Sequence, residues 1–144
     1  MQFLSDKVAR LNIGWNERPL TEVDFYRICK RFKITVEEMP LRVSGFYYRV
    51  LGRDFIAIDS RLTGNERLMV LFHELAHFLF HTPETGESAN FHRIGRKTRQ
   101  EKEADAFALC ALMPTNSLAT LEQSDQLSSE IIRERLKLFE QLRI

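Results

Sequence analysis

One apolar stretch constrains the fold of this chain more than any other: "LMVLFHELAHFLFH", residues 68–81. Its length and helical periodicity predict a helix over residues 64–81, opened by a capping box at Thr63 and Glu66. Such an apolar helix belongs in the interior of a domain, yet residues 68–81 contain three histidines and a glutamate. Because buried polar groups without partners cost free energy, the rest of the fold must supply those partners.

The composition is that of an ordinary globular protein. The 144 residues include 21 basic and 20 acidic side chains, for a net charge of +1, which gives no reason to expect a polyanionic partner. No apolar run reaches the roughly 18 residues that a membrane helix needs, and the N-terminal residues lack the apolar core of a signal peptide. We interpret Cys29 and Cys110 as reduced, buried thiols of a cytoplasmic protein.

The order of the predicted elements indicates one α+β domain over residues 1–144. Residues 1–18 are ambiguous between a short helix and an irregular arm. The other predicted elements are a helix at 21–32, strands at 34–39 and within 45–59, and helices at about 64–81, 99–113 and 129–143. Since the strands are grouped, we expect a small, mainly antiparallel sheet packed on helices, with residues 64–81 as the central helix. Gly52 falls in the turn of a predicted hairpin.

The spacing of His73 and His77 points to a metal site. Residues four apart project from the same face of a helix, where two imidazoles can share one ion. Glu74 lies beside them, which completes the His-Glu-x-x-His motif of zinc proteases. In such sites the metal activates a water molecule, and the carboxylate takes the proton of that water and passes it to the leaving amine.

The other two histidines are weaker candidates for the third ligand. His81 lies eight residues from His73, roughly 12 Å along a straight helix, so the three helix histidines should not converge on one ion. We interpret His81 as a partner of a ligand or as a histidine at the helix C-terminus. His92 falls in a loop-like segment and is more typical of the surface.

A better third ligand lies in "EKEADAFALCALMP". Glu101 and Asp105 share one face of the predicted second helix. Glu101 is the expected third ligand, and Asp105 is expected to accept the spare ring N–H of a ligating histidine. Glu103 points elsewhere on the helix and is expected to be solvated. Thr98 and Glu101 also fit a capping box, which competes with the ligand role of Glu101.

These two segments resemble the ImmA/IrrE family of bacterial and phage metallopeptidases. Members have the His-Glu-x-x-His helix, often with a further histidine four residues on, and then a Glu-x-x-Ala-Asn/Asp-x-Phe-Ala segment that ends in Leu-Met-Pro. The resemblance covers roughly residues 20–140. The family's frequent glycine before the second motif histidine is Ala76 here. The matching residues of the second segment are Glu101, Ala104, Asp105, Phe107, Ala108, Leu112, Met113 and Pro114.

The resemblance implies a zincin-like fold with Zn2+ held by His73, His77 and Glu101, and with Glu74 as the general base. It also implies cleavage or binding of a helix-turn-helix repressor, and thus a role in transcription regulation. The family's edge strand, which can pair with an extended peptide, would be the segment Phe55, Ile56, Ala57 and Ile58. A plain core strand is an equally good interpretation of that segment.

Two other functions remain open at this point. The same fold would serve a non-catalytic metal-binding regulator that holds its partner without cutting it. The basic clusters at residues 30–33 and 93–99, together with the last helix, also admit a DNA-binding module. The near-neutral charge and the glutamates of that helix favour a solvated helix face, so direct nucleic-acid binding is not expected. Tyr47 and Tyr48 are candidate oxyanion donors, and the sequence does not choose between them.

Overall fold

The computed structural model describes residues 2–81, 90–91, 98–117, 129–142 and 144. Within them the chain forms five helices and one four-stranded sheet. The elements are α1 (Gln2–Ala9), α2 (Glu22–Phe32), β1 (Ile34–Met39), β2 (Gly45–Val50), β3 (Arg53–Asp59), α3 (Gly64–His81), β4 (Asn90–Phe91), α4 (Arg99–Leu112) and α5 (Ser129–Leu142). The α+β class predicted from the sequence is confirmed.

Helix α2 has well-defined signals at both ends. The Thr21 hydroxyl accepts from the Asp24 N–H, and the Asp24 carboxylate accepts from the Thr21 N–H, which closes a capping box. At the other end Lys33 adopts a left-handed conformation (φ 59°), and its N–H donates to the Cys29 and Lys30 carbonyls. This cap turns the chain directly into β1, which begins at Ile34.

The strand order in the sheet is β1-β3-β2-β4. Strands β2 and β3 form the predicted antiparallel hairpin, with Val50 opposite Arg53 and with Leu51 and Gly52 in the turn. Both turn residues have positive φ, 51° and 75°, the conformation of a type I′ turn. The β2–β4 pairing is also antiparallel, whereas β1 and β3 run parallel. Two of the three pairings therefore fit the expected, mainly antiparallel sheet.

The prediction that residues 55–58 form a substrate-pairing edge strand is wrong. Strand β3 lies between β1 and β2 and pairs with both, so its backbone groups are already used. Ile56, Ala57 and Ile58 are fully buried, and Phe55 stacks on Tyr48 with ring centroids 4.8 Å apart. This segment is a central core strand and has no free edge to offer a peptide.

Helix α3 occupies the centre of the molecule. The sheet covers one side of it through β2 and β3, and α4 packs along another side. Aromatic rings fill the junction: Phe107 of α4 lies 6.4 Å from Phe72 and 5.6 Å from Phe80, measured between centroids. Ala104 and Ala108 are fully buried, and their small side chains allow α4 to approach α3 closely.

The segment from Arg10 to Leu20, here called the N-terminal strap, holds α4 from outside. The Trp15 Nε1–H donates to the Phe107 carbonyl at 2.8 Å, and its ring stacks on Phe107. The Leu20 N–H donates to the Ala111 carbonyl at 2.8 Å, which satisfies one of the orphan acceptors in the last turn of α4. The ambiguous residues therefore form a short helix followed by an ordered strap.

Both cysteines and one arginine lie in the interior of the protein. Cys29 and Cys110 are buried free thiols, as expected, and burial raises their pKa to about 12 and 11. The guanidinium of Arg135, fully buried, donates to the Met113 carbonyl at 2.6 Å and so ties α5 to the end of α4. Among the described residues, none of the helices combines the length and apolarity that crossing a membrane requires.

Candidate metal centre

Helix α3 presents the three motif side chains in the interior. His73, Glu74 and His77 are all buried, with at most 3% of each residue exposed. One potential ligand atom from each lies within 4.8 Å of the others. The two imidazoles meet edge to face, with their Nε2 atoms 3.2 Å apart. The four-residue spacing therefore brings one ring nitrogen of each histidine close together, as helical geometry predicts.

Helix α4 brings the carboxylate of Glu101 to the same point. Its Oε2 lies 3.0 Å from His73 Nε2, and its Oε1 lies 2.9 Å from His77 Nε2. Capping of α4 does not compete with the ligand role of Glu101, because the two roles use different groups. The Thr98 hydroxyl accepts the backbone N–H of Glu101 at 3.2 Å, so Thr98 caps α4 while the Glu101 carboxylate turns to the histidines.

The three groups fit a divalent metal ion. The two Nε2 atoms lie 3.2 Å apart, and each lies close to a different oxygen of the Glu101 carboxylate, at 3.0 Å for His73 and 2.9 Å for His77. In a tetrahedral site with bonds of about 2.0–2.1 Å, ligand atoms lie roughly 3.3 Å apart, so small adjustments would admit the ion. Two imidazoles and one carboxylate suit zinc and also other divalent ions. Three ligands leave a coordination position open, as in catalytic sites.

The outward-facing Nδ1 atoms of both histidines have partners. Asp105 Oδ1 lies 2.8 Å from His73 Nδ1, where it can accept the ring N–H. His77 Nδ1 lies 3.0 Å from His81 Nδ1, and His81 Nε2 lies 3.4 Å from Glu103 Oε1. His81 thus lies beside the pair, with its Nε2 directed away from it.

The prediction that Glu103 is solvated is wrong, because its side chain is only 14% exposed. On an isolated helix Glu103 projects away from Glu101, two residues earlier. Its burial depends on where the end of α3 lies relative to α4, which helical spacing within one segment does not encode. The sequence contained one hint of this contact. His81 and Glu103 are titratable residues without an assigned partner, and they lie in the two segments that form the site.

The surrounding charges act unequally on the histidines. Burial opposes the charged form of His73, but hydrogen bonds with Asp105 and Glu101 outweigh burial and raise its pKa to about 9. At His77, burial and then the positive charge of His73 lower the pKa to about 4. Burial also lowers the pKa of His81. At neutral pH the His77 ring is therefore neutral and keeps one nitrogen lone pair.

Gly45 is a site residue that sequence reasoning missed. A Cβ atom at this position would lie 2.8 Å from the Ala57 carbonyl oxygen and 2.9 Å from Val70 Cγ1, closer than such contacts allow. It would also lie 3.7 Å from Glu74 Cγ. The absence of a side chain at Gly45 therefore lets the start of β2 lie directly against α3 beside Glu74.

The two tyrosine candidates for the oxyanion donor have hydrogen-bonding partners in the sheet. The Tyr47 hydroxyl donates to Asp54 at 2.6 Å, and the Tyr48 hydroxyl donates to Glu37. Both hydroxyls are thus hydrogen-bonded to carboxylates of the sheet. His92 and the basic residues 93–97 lie outside the described residues.

Two histidines and a glutamate on one buried helix, with a carboxylate supplied by the next long helix, define a site of the metallopeptidase type. Residues 29–142 match a peptidase family model, that of the IrrE N-terminal-like domain. The chain belongs to this family, as the sequence resemblance predicted. A search of curated proteins finds no significant match.

Proposed function

We propose that the protein is a zinc-dependent endopeptidase, and that it acts in the cytoplasm on a regulatory protein. The observation that supports the proposal is the close approach of the two Nε2 atoms of His73 and His77 to each other and to the Glu101 carboxylate, with Glu74 beside them. The membership in a peptidase family supports the same reaction class. A helix-turn-helix repressor is the proposed substrate, on the strength of the family resemblance alone.

In the proposed mechanism, His73, His77 and Glu101 hold the metal ion. Bound zinc would lower the pKa of a water molecule and polarise the scissile carbonyl. Glu74 takes the proton of the attacking water and delivers it to the leaving amine. Asp105 accepts the Nδ1–H of His73, so that Nε2 of that ring faces inward, where metal binding would displace the proton that the raised pKa of His73 otherwise keeps there.

The burial of Glu74 matters for its proposed role. Its carboxylate is fully buried, between the sheet and the two histidines of its own helix. Electrostatic interactions are stronger in such a water-poor environment than in bulk solvent. Packing of Glu74 against Gly45 limits the orientations of the Glu74 side chain, so this proton acceptor is positioned before the substrate binds.

The test is cleavage of a co-encoded repressor by purified protein of known metal content, followed by intact mass spectrometry. We expect Glu74→Gln to retain the metal and to lose activity by a factor of about 100 to 10,000, the usual contribution of a general base. Glu66→Gln is the matched control, because Glu66 lies exposed in the first turn of the same helix. Cleavage by Glu74→Gln at the wild-type rate contradicts the mechanism.

The same measurement tests the alternative function, a non-catalytic metal-binding regulator. In that case the partner would bind to the wild-type protein and remain intact, and Glu74→Gln would bind it equally well. Fragments that depend on both the metal and Glu74 exclude this alternative.

A further inference from the structure

A chain of ring nitrogens and a carboxylate runs outward from His77. His77 Nδ1 meets His81 Nδ1 at 3.0 Å, and His81 Nε2 meets Glu103 Oε1 at 3.4 Å. We infer that Glu103, acting through His81, is a positioning residue that fixes the tautomer and ring orientation of His77. This inference rests on the proposed metal site, and it assigns a role to a carboxylate that the peptidase chemistry itself does not require.

The tautomers follow from the donor and acceptor rules of imidazole. If Nε2 of His77 is to offer its lone pair to a metal, the proton of the neutral ring must be on Nδ1. That Nδ1–H then needs an acceptor, and the atom facing it is His81 Nδ1. His81 must therefore carry its own proton on Nε2, from which it donates to Glu103.

A charged His81 would not fit this arrangement. An imidazolium has a proton on both nitrogens, so its Nδ1–H would point at the Nδ1–H of His77 across only 3.0 Å. Glu103 favours the required tautomer because a carboxylate is only an acceptor when ionised, and it faces His81 Nε2. The side chains of His81 and Glu103 are 5% and 14% exposed, so water competes little for these contacts.

The alternative role for Glu103 is an ion pair with Arg99, four residues earlier on α4. The Arg99 side chain is 89% exposed, and its Nε lies 3.9 Å from Glu103 Oε1. Exposed pairs of this kind contribute little. Arg99→Ala therefore separates the two roles, because it removes the ion pair and leaves the contact between Glu103 and His81 in place.

The experiment measures zinc affinity by competition with a chromophoric chelator, for wild type and for His81→Phe, Glu103→Leu, Glu103→Gln and Arg99→Ala. Loss of a hydrogen-bonding partner of a ligating histidine typically costs about 10–100-fold in metal affinity. We expect that loss in His81→Phe and Glu103→Leu. Glu103→Gln keeps an oxygen acceptor and should recover most of the affinity, and Arg99→Ala should match wild type. Thermal unfolding without metal shows whether each variant is folded.

Two further readouts distinguish positioning from general structural support. Removing both groups should cost no more affinity than removing His81 alone, because Glu103 acts only through His81. In zinc-loaded wild type, long-range 1H–15N NMR should show His77 protonated at Nδ1 and His81 protonated at Nε2. This spectrum needs no variant, so the inference stays testable even if Glu103→Leu does not fold.

The possible failures are distinguishable. Zinc affinities of His81→Phe and Glu103→Leu within about twofold of wild type overturn the positioning role and leave the peptidase proposal standing, as does a His81 proton found on Nδ1. An equal loss in Arg99→Ala assigns Glu103 to the ion pair instead. If the wild-type protein binds no divalent metal, both the inference and the proposed function are wrong.

Discussion

Asp24 supports an informative test of how the N-terminal strap is held. Its carboxylate accepts two bonds from the Arg18 guanidinium, at 2.9 and 3.1 Å, and one from the Thr21 N–H at 2.8 Å. The strap that contacts α4 is therefore tied to the start of α2 by a bidentate ion pair. The perturbation is Asp24→Asn, which keeps the size of the side chain and removes its charge.

The magnitude follows from the pKa of Asp24. Hydrogen bonds from Arg18 act first, against a smaller effect of burial, and lower this pKa from 3.8 to about 2. Each unit of pKa difference between the folded and unfolded states corresponds to about 1.4 kcal/mol. The ionised Asp24 carboxylate should therefore contribute about 2 kcal/mol to the free energy of unfolding at pH 7.

The sign of the pH dependence is determined by the lowered pKa. A carboxyl whose pKa is lower in the folded state stabilises the fold above the unfolded pKa, and this contribution is lost as the pH falls through the folded pKa. Urea unfolding of wild type and Asp24→Asn should show a gap of about 2 kcal/mol at pH 7 and 5, closing between about pH 4 and 2.

Glu17→Gln is the control for this measurement, because Glu17 is an exposed carboxylate of the same strap. It should leave the free energy of unfolding within about 0.5 kcal/mol of wild type. The reasoning is refuted if the gap for Asp24→Asn is under about 0.5 kcal/mol at pH 7, or if the gap is unchanged at pH 2.

Three further predictions concern packing and backbone conformation, and urea unfolding checks each of them. Trp15→Phe keeps a ring over Phe107 but removes the donor to its carbonyl, and should cost about 1 kcal/mol; an unchanged free energy of unfolding contradicts it. Gly45→Ala places a Cβ against backbone and should destabilise by about 1–3 kcal/mol, whereas the same change at Gly52, where a Cβ meets no atom within 4 Å, tests conformation alone. Leu51→Asn should stabilise by up to about 1 kcal/mol, because Leu51 has φ 51° and is 96% exposed; destabilisation would show that the leucine is favoured there.

The sequence predicts the parts of the site that depend on a single helix. Four-residue spacing determines that His73 and His77 face one point, and it places Glu101 and Asp105 on one face of α4. The contact of Glu103 with His81 was not predictable in this way, since it depends on how two helices cross. The α+β class followed from the grouping of strands, because grouping is a property of chain order.

Strand order in the sheet was the least predictable feature, since pairing is decided by tertiary contacts. Residues 55–58 form a continuous apolar run, which is typical of a strand buried on both faces. That signal belongs to the core-strand interpretation, which is the one that fits the position of β3 between β1 and β2. Gly45 was also not predictable as a site residue, because only the packing of β2 on α3 shows why a side chain is not tolerated there.

The N-terminal strap lies before the region that matches the family model, yet it packs on a helix inside that region. The family match begins at residue 29, yet Trp15 and Leu20 hydrogen-bond the carbonyls of Phe107 and Ala111 in α4. A protein trimmed to the matched region would expose the aromatic layer of α4 and leave part of its last turn unsatisfied. Helix α4 also carries Glu101, so such trimming would loosen one side of the histidine cluster. The region that matches the family model is therefore smaller than the part of the described chain that packs on α4.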